Sequence, residues 1–297
     1  MPDITVIIAS INGWEYLQEC LQALAVQQGG LDAQIIVADC VGANVAAPVR
    51  EQFPWVQLIC YNEKQSVPKL RAAALAQATG RIIAITEDHC IPPADWYQSL
   101  MRAHEKNPAP AIGGAVDNGA TTRIIDWAVF FCEYSNFISP VADGMVHDLP
   151  GPNVSYKREA LADLQEAIGE EYWETFVHGQ LEAEGKQLWS DPSVKVIHKK
   201  HFRFTDFLAE RFHYSRAFAG TRNESFTKGK RLIYFFCAPL LPPMLLMRIF
   251  QRVLSKKQHL SEFAMSLPYI FIFVIAWAVG ESVGYAIGPG DSALYLT

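Results

Sequence analysis

The sequence has no basic excess. Its 25 Lys and Arg face 31 Asp and Glu, for a formal charge of −6, whereas a nucleic-acid binder usually carries a surplus of positive charge. It has no CxxC pair. Six cysteines (Cys20, Cys40, Cys60, Cys90, Cys132, Cys237) lie too far apart for a metal finger. Such scatter among apolar neighbours fits reduced, mostly buried thiols in a cytosolic body. The start, MPDITVIIAS, lacks the basic residues and long apolar run of a signal peptide and reads as a strand. Repeats and low-complexity segments are also missing. What is present is apolar mass: 50% of 297 residues are hydrophobic and 12% aromatic. That excludes a disordered or collagen-like chain and permits one large domain with or without an appendage.

The charge is uneven. From Arg231 onward the balance is +2, which leaves −8 on residues 1–230. Two apolar segments fill this tail. Leu232–Met247 has no charge but contains Pro239, Pro242 and Pro243, and Phe263–Gly280 has no charge over 18 residues. A membrane span needs about 20 apolar residues, so the second segment nearly suffices; buried core helices are the alternative. Lys228, Lys230 and Arg231 precede the first segment, and Arg248, Arg252, Lys256 and Lys257 follow it. Positive flanks prefer the cytoplasm. Both ends inside would mean a Pro-broken re-entrant or interfacial hairpin, and a plain two-span hairpin competes with it.

Short β-rich runs alternate with helical stretches over the first ninety residues. Ile4–Ala9, Gln34–Ala38, Val56–Tyr61 and Arg81–Thr86 read as strands. Trp14–Val26, Pro48–Phe53 and Lys69–Ala78 read as helices. This alternation predicts an α/β fold with a parallel sheet, whose ligands sit beyond the carboxyl ends of the strands. Asp39 and the cluster Glu87-Asp88-His89 fall there. Further on, Gly113–Val116 reads as a strand, Gly151–Tyr156 as a loop entering a strand, Lys157–Ile168 and Trp173–Glu184 as helices, and Val194–Ile197 as a strand closed by His198.

Two carboxylates and an imidazole at the end of a buried strand need partners or a task. Side chains two apart on an extended segment point the same way, so Glu87 and His89 can grip one ion while Asp88 faces elsewhere. Oxygen ligands suit magnesium and manganese, and manganese accepts imidazole. A helix-capping or surface turn is the bland alternative for the triplet, and His198 alone reads as an ordinary histidine.

ITVIIAS-x-N, an Asp closing the second strand, a basic Ala-rich helix, an acidic motif ending the fourth strand, GPNVSYKREAL, and Glu174 eleven residues before Gly185 occur in that order. This order resembles the large inverting, family-2-type glycosyltransferases that include cellulose and chitin synthases and polyprenyl-phosphate sugar transferases. The resemblance covers roughly Ile4 to Gly220, and the tail is similar to those of bacterial lipid- or glycan-directed members. It implies a GT-A fold over residues 1–225 and a membrane-associated tail over 226–297.

The resemblance also implies site residues. Ser10 and Asn12 match the first nucleotide-contacting loop, and Asp39 matches the acid that binds the base, usually uracil. Arg71 matches the Arg of an Arg-Asn helix motif whose Asn is here Ala72. Glu87-Asp88-His89 falls on the D-x-D metal motif, with His198 as a second, distant ligand, and Asp88 lies against the substrate. Gly151 and Asn153 match the substrate loop, and Glu174 stands where the catalytic base Asp usually stands. An N-terminal helix carboxylate favoured by the macrodipole is the other reading of Glu174. Arg211 and Arg216, in the basic-aromatic stretch His201–Arg222, are candidates for a phosphate of the acceptor; an amphipathic surface helix is the plain reading of that stretch. A QxxRW motif, carried by processive synthases, is missing, which favours transfer of a single sugar.

The expectation is therefore a manganese- or magnesium-dependent inverting glycosyltransferase. It would take a nucleotide sugar, with UDP as carrier, and act on a lipid-linked acceptor at the inner membrane, facing the cytosol. No nucleic-acid partner is expected. The rivals are a catalytically impaired nucleotide-sugar-binding scaffold, a purely structural membrane anchor, and a sugar-nucleotide pyrophosphorylase. The last would need a Gly-rich basic loop after the first strand, which ASINGWEY does not provide.

Overall fold

The computed structural model describes residues 1–27, 31–164, 168–223 and 226–295. They form two compact units: residues 1–119 with 137–199, and residues 120–136 with 200–295.

The first unit is an α/β sheet. Its strands are β1 (Ile4–Ser10), β2 (Ala33–Asp39), β3 (Val56–Cys60), β4 (Ile82–Glu87), β5 (Cys90–Ile91), β6 (Ala111–Asn118), β7 (Gly144–Val146), β8 (Val154–Lys157) and β9 (Leu188–His198). The order is β3-β2-β1-β4-β8-β6-β9-β5, with β7 also on β9. The β3-β2-β1-β4 half is parallel. β8 runs antiparallel to both β4 and β6, and β6 is parallel to β9. All seven residues of β1 are buried, as expected of a strand covered on both faces.

Helices α1 (Trp14–Ala25), α2 (Ala43–Gln52), α3 (Val67–Leu75), α4 (Trp96–Lys106), α6 (Arg158–Ala162) and α7 (Glu174–Ala183) belong to this unit; α5 belongs to the other. α3 starts where its sequence says it should. The Ser66 hydroxyl accepts from the Lys69 amide, and Pro68 stands in the first turn. α2 starts five residues before the expected Pro48, because the turn after Asp39 launches a helix in which Pro48 is tolerated. α4 was not foreseen. The helix expected over Lys157–Ile168 is present over Arg158–Ala162; residues 165–167 lie outside the described residues.

The second unit is helical: α5 (Ile124–Tyr134), α8 (Phe204–Arg222), α9 (Lys228–Cys237), α10 (Leu241–Lys256) and α11 (Leu260–Ile287). A single 3-10 turn, Ala238–Leu240, joins α9 to α10. The resulting 29-residue rod and the 28-residue α11 are both long and apolar enough to cross a membrane. α8 and α11 run parallel. Phe207 meets Phe273 at 4.7 Å, Arg211 lies 4.3 Å over the Trp277 ring, and the Asn223 side chain donates to the Gly284 carbonyl at 2.8 Å. Their backbones nearly touch at Gly280, where a Cβ would stand 2.2 Å from the Phe212 carbonyl oxygen.

One polar junction holds α5 to the start of α8. The buried Asp126 carboxylate accepts from Arg123 Nε (2.8 Å) and Nη2 (2.6 Å) and from the Phe202 amide (2.9 Å), and it lies 2.7 Å from His201 Nδ1. Burial pushes its pKa up, but the Arg123 hydrogen bonds, the Phe202 amide and His201 together hold it below the usual carboxylate range. A folded-state pKa below the unfolded one stabilises the fold above about pH 4, and this contribution is lost as pH falls through the folded value. We expect Asp126→Asn to lower stability by about 2 kcal/mol at neutral pH. In denaturant melts of the detergent-solubilised protein, that difference should shrink progressively below about pH 4.

Candidate active site

The carboxyl ends of β1, β2 and β4 carry Ser10, Asp39 and Glu87, which parallel pairing places side by side. Ser10 Oγ donates to Asp39 Oδ1 at 2.8 Å, and the Gly42 amide donates to Asp39 Oδ2 at 3.0 Å. Both oxygens of the buried Asp39 are thus engaged in shaping the loop that leads into α2.

Asp88 turns toward the loop after β1. Its Oδ2 accepts from the Ile11 and Asn12 amides at 2.9 and 2.8 Å, and Oδ1 accepts from Asn12 Nδ2 at 2.7 Å. Oδ1 also lies 2.8 Å from His89 Nδ1. Burial raises the Asp88 carboxyl, yet hydrogen bonding to His89, the charge of that ring and the Asn12 donors hold it below the usual range. An ionised Asp88 keeps a proton on His89 Nδ1, so that Nε2 is the nitrogen that would turn its lone pair to a metal once its own proton leaves. This carboxylate–histidine arrangement is typical behind a metal ligand.

His89 Nε2 points at two other groups. It lies 2.9 Å from His198 Nε2 and 3.2 Å from Glu87 Oε2. His198 arrives from 109 residues further along the chain on β9, whose last rung pairs it with Cys90 of β5. Two ligands at about 2.1 Å from one ion, at right angles, stand about 3 Å apart. His89 Nε2 has this spacing to both neighbours, and two imidazoles with one carboxylate suit manganese better than magnesium. Cys90 Sγ is within 4.8 Å of the Glu87 and His89 donors. Burial and the charge of Glu87 push its thiol well above its ordinary pKa.

Arg71 links this cluster to Glu174. Its guanidinium, 4% exposed, donates from Nη2 to Glu87 Oε1 and from Nη1 to Glu174 Oε2, both at 3.0 Å. Burial alone would raise the Glu87 carboxyl; the hydrogen bond and charge of His89, then the Arg71 charge, outweigh it and hold the group far below the usual carboxylate range. Glu174 opens α7, and its carboxylate fills the space beside Gly151: a Cβ there would stand 2.8 Å from Oε1. Asn153 lies deeper. Its Oδ1 accepts from Trp96 Nε1 (2.9 Å), and its Nδ2 donates to the Ala115 and Val194 carbonyls. Fully buried, it ties α4 to β6 and β9.

The first unit thus brings together Ser10, Asn12, Asp39, Arg71, Glu87, Asp88, His89, Gly151, Glu174 and His198. Arg211 and Arg216 belong to the second unit, where Arg211 pairs with Glu133 (3.5 Å) and Arg216 Nε donates to the Gly288 carbonyl (3.2 Å). Three links were not foreseen: Asp88 behind His89, the double role of Arg71, and a buried chain beside Glu174. In that chain Tyr172 OH donates to Tyr156 OH (2.7 Å), which contacts His178 Nε2 (2.8 Å). The motif order identifies the carriers, but which atoms meet depends on pairings across more than a hundred residues.

Residues 5–164 match the model of a family described as Glycosyl transferase family 2. The glucosyl-dolichyl phosphate glucuronosyltransferase of Haloferax volcanii is 26% identical over 123 residues, which cover 37% of this chain. The chain spans 36% of the length of that relative. Among solved structures, the mannosyltransferase PcManGT of Pyrobaculum calidifontis, in complex with GDP-Man and Mn2+, superimposes with a TM-score of 0.58. It shares 18% identity and covers 94% of this chain and 87% of its own. S. aureus TarS 1-349 gives a TM-score of 0.54 at 12% identity, over 94% of this chain and 90% of its own. These likenesses establish the GT-A-like fold.

Proposed function

The chain belongs to glycosyl transferase family 2 and is a glycosyltransferase, and from that premise we propose that it moves one sugar, with inversion, from a nucleotide-sugar donor to a lipid-linked acceptor at a membrane. The observation that carries this reading is the meeting of Glu87 and His198 at His89 Nε2, joined through Arg71 to Glu174. Glu87, His89 and His198 would hold a divalent ion, manganese by their donor set. Such an ion, when bound, neutralises charge that develops on a departing diphosphate. The name of the Haloferax relative supports a lipid phosphate carrier in the acceptor, and UDP is our assignment for the donor.

The protein's own residues then have defined tasks. Asp88 holds His89 in the tautomer that offers Nε2 and fixes the loop at Ile11 and Asn12. Asp39 and Ser10 shape the pocket floor for the base. Glu174 Oε1, beside Gly151, takes the proton of the acceptor hydroxyl as its oxygen attacks the anomeric carbon. Arg71 keeps Glu174 oriented by occupying its other oxygen. Attack from the face opposite the leaving diphosphate inverts the anomeric centre. The first unit would face the cytosol at the inner membrane, with residues 226–297 as the membrane-associated tail.

The test is a screen of UDP- and GDP-sugars with membranes containing the full chain, reading released nucleoside diphosphate and then sugar in an organic extract. Product confined to water overturns the lipid acceptor. Donor binding without diphosphate release would turn the reading to a nucleotide-sugar-binding scaffold. In the same assay EDTA should abolish turnover and added Mn2+ restore it. His198→Ala should raise the manganese concentration needed for half-maximal turnover at least ~10-fold, the loss seen even for partners behind a ligand.

A further inference from the structure

Resting on the membrane association proposed above, we propose that α9, α10 and α11 dock the second unit into a single anionic leaflet and do not cross the bilayer. Length and charge point first in this direction. The uncharged stretch of the α9–α10 rod, residues 232–247, is 16 residues long. As helix that stretch measures about 24 Å, so a crossing rod, though long enough overall, would draw Arg231 or Arg248 into the roughly 30 Å hydrocarbon core. Arg248, Arg252 and Lys256 then follow at four-residue spacing along one face of α10, with Arg248 and Arg252 exposed. Lys228, Lys230 and Arg231 mark the other end of the rod. Positive charge at both ends disfavours moving either end across.

α11 is long enough to cross, but one side of its C-terminal half is covered by α8. α8 lies parallel to it from Phe273 to Tyr285 and brings Arg211, Arg216 and Arg222 alongside. Arg211 is paired with Glu133 of α5, and Glu281 of α11 itself is buried, accepting from Trp277 Nε1 at 2.8 Å. A crossing α11 would carry these ionisable groups to hydrocarbon depth, where each is expensive. Lying along the surface leaves them on the aqueous side of the bundle.

The face left for lipid is present on both helices. Phe236, Leu240 and Met247 on the rod, and Met265, Ile272 and Val279 on α11, are exposed at spacings of four and seven that keep each set on one stripe. On α10 Arg248 directly follows Met247, and Arg252 lies one turn further on. Apolar side chains flanked by Lys and Arg are the pattern of a helix lying in the interface of an anionic membrane. An anionic lipid headgroup surface satisfies both the charge and the apolar face.

The experiment places one cysteine at Gln258, between α10 and α11, or at Asp291, beyond α11, with Cys60→Ser and Cys237→Ala removing the exposed thiols. Both sites are exposed and lie at opposite ends of a helix about 42 Å long. Spheroplasts expressing the full chain are treated with a membrane-impermeant maleimide before and after permeabilisation. Docking on one leaflet requires the two sites to behave alike, both protected until permeabilisation. One site labelled in intact spheroplasts and the other protected would establish a crossing and overturn the proposal. Flotation of the purified full chain with phosphatidylglycerol vesicles gives an independent arm. Arg248→Glu with Arg252→Glu should weaken it at least ~10-fold, and an unchanged affinity would remove the basic stripe from the docking surface. If the unmodified chain floats with no vesicle of any composition, the membrane reading itself fails, a result distinct from a crossing.

Discussion

Glu174→Gln is expected to lower kcat for sugar transfer by 10²–10⁴-fold, the usual worth of a positioned general base, while thermal stability stays close to that of the unmodified chain. The amide keeps the shape of the carboxylate and one oxygen for Arg71 Nη1, so the link between α3 and α7 survives. What it loses is a site for the acceptor proton. Removing a group that acts on the reacting atoms should lower kcat and kcat/KM together and leave KM for the donor little changed. The size of the loss also reports the acceptor. A hydroxyl must surrender its proton during attack, whereas an ionised lipid phosphate has none to give. A loss below about tenfold would therefore remove Glu174 from the proton-accepting role and point to a phosphate oxygen as the attacking atom. Single-turnover measurement with a saturating donor separates this outcome from slow product release.

The elements that were legible in the sequence are those with one dominant signal. β1, β2 and β4 are mostly apolar runs ending in polar residues, and their alternation with helices predicts Asp39 and Glu87 at one edge of a parallel sheet. β9 was read only over its last residues because Pro192 and the polar Ser190–Ser193 stretch argue against a strand. The strand absorbs them through a register shift against β6 near Gly113 and Ala115. α4 was missed because its apolar residues are interleaved with Gln98, Arg102 and Lys106, and Asp95 gives no side-chain cap. At the site, residue types were legible and contacts were not. Glu87, His89 and His198 stand out as costly groups at strand ends, but the 103-residue separation of Arg71 and Glu174 carries no local trace. The resemblance matches Arg71 only to the Arg of an Arg-Asn helix motif; in the structure its two Nη atoms serve carboxylates.

That arrangement makes Arg71→Met the substitution with the largest expected effect on folding. Met matches much of the arginine stem and can fill the buried volume, so the change isolates the charge. Without the guanidinium, Glu87 and Glu174 face one another across an apolar gap with no shared counter-charge. Breaking a buried ion pair by removing one partner typically destabilises by 3–5 kcal/mol. Here about a fifth of each carboxylate side chain remains exposed, so the lower end, roughly 3 kcal/mol, applies. Urea melts of the first unit's signal in the full chain should show this as an earlier midpoint at unchanged slope. Arg71→Lys should recover only part of the stability. One ammonium is a point charge and cannot reproduce the planar fork that meets both carboxylates at 3.0 Å. Turnover should stay low in the lysine variant even where it is folded, because Glu174 is then held by a looser contact and a 1 Å misplacement alone can lose about 10²-fold in rate. Full activity in a folded Arg71→Met protein would show instead that Glu174 is oriented by α7 and the buried tyrosines beside it, and that the guanidinium serves stability alone.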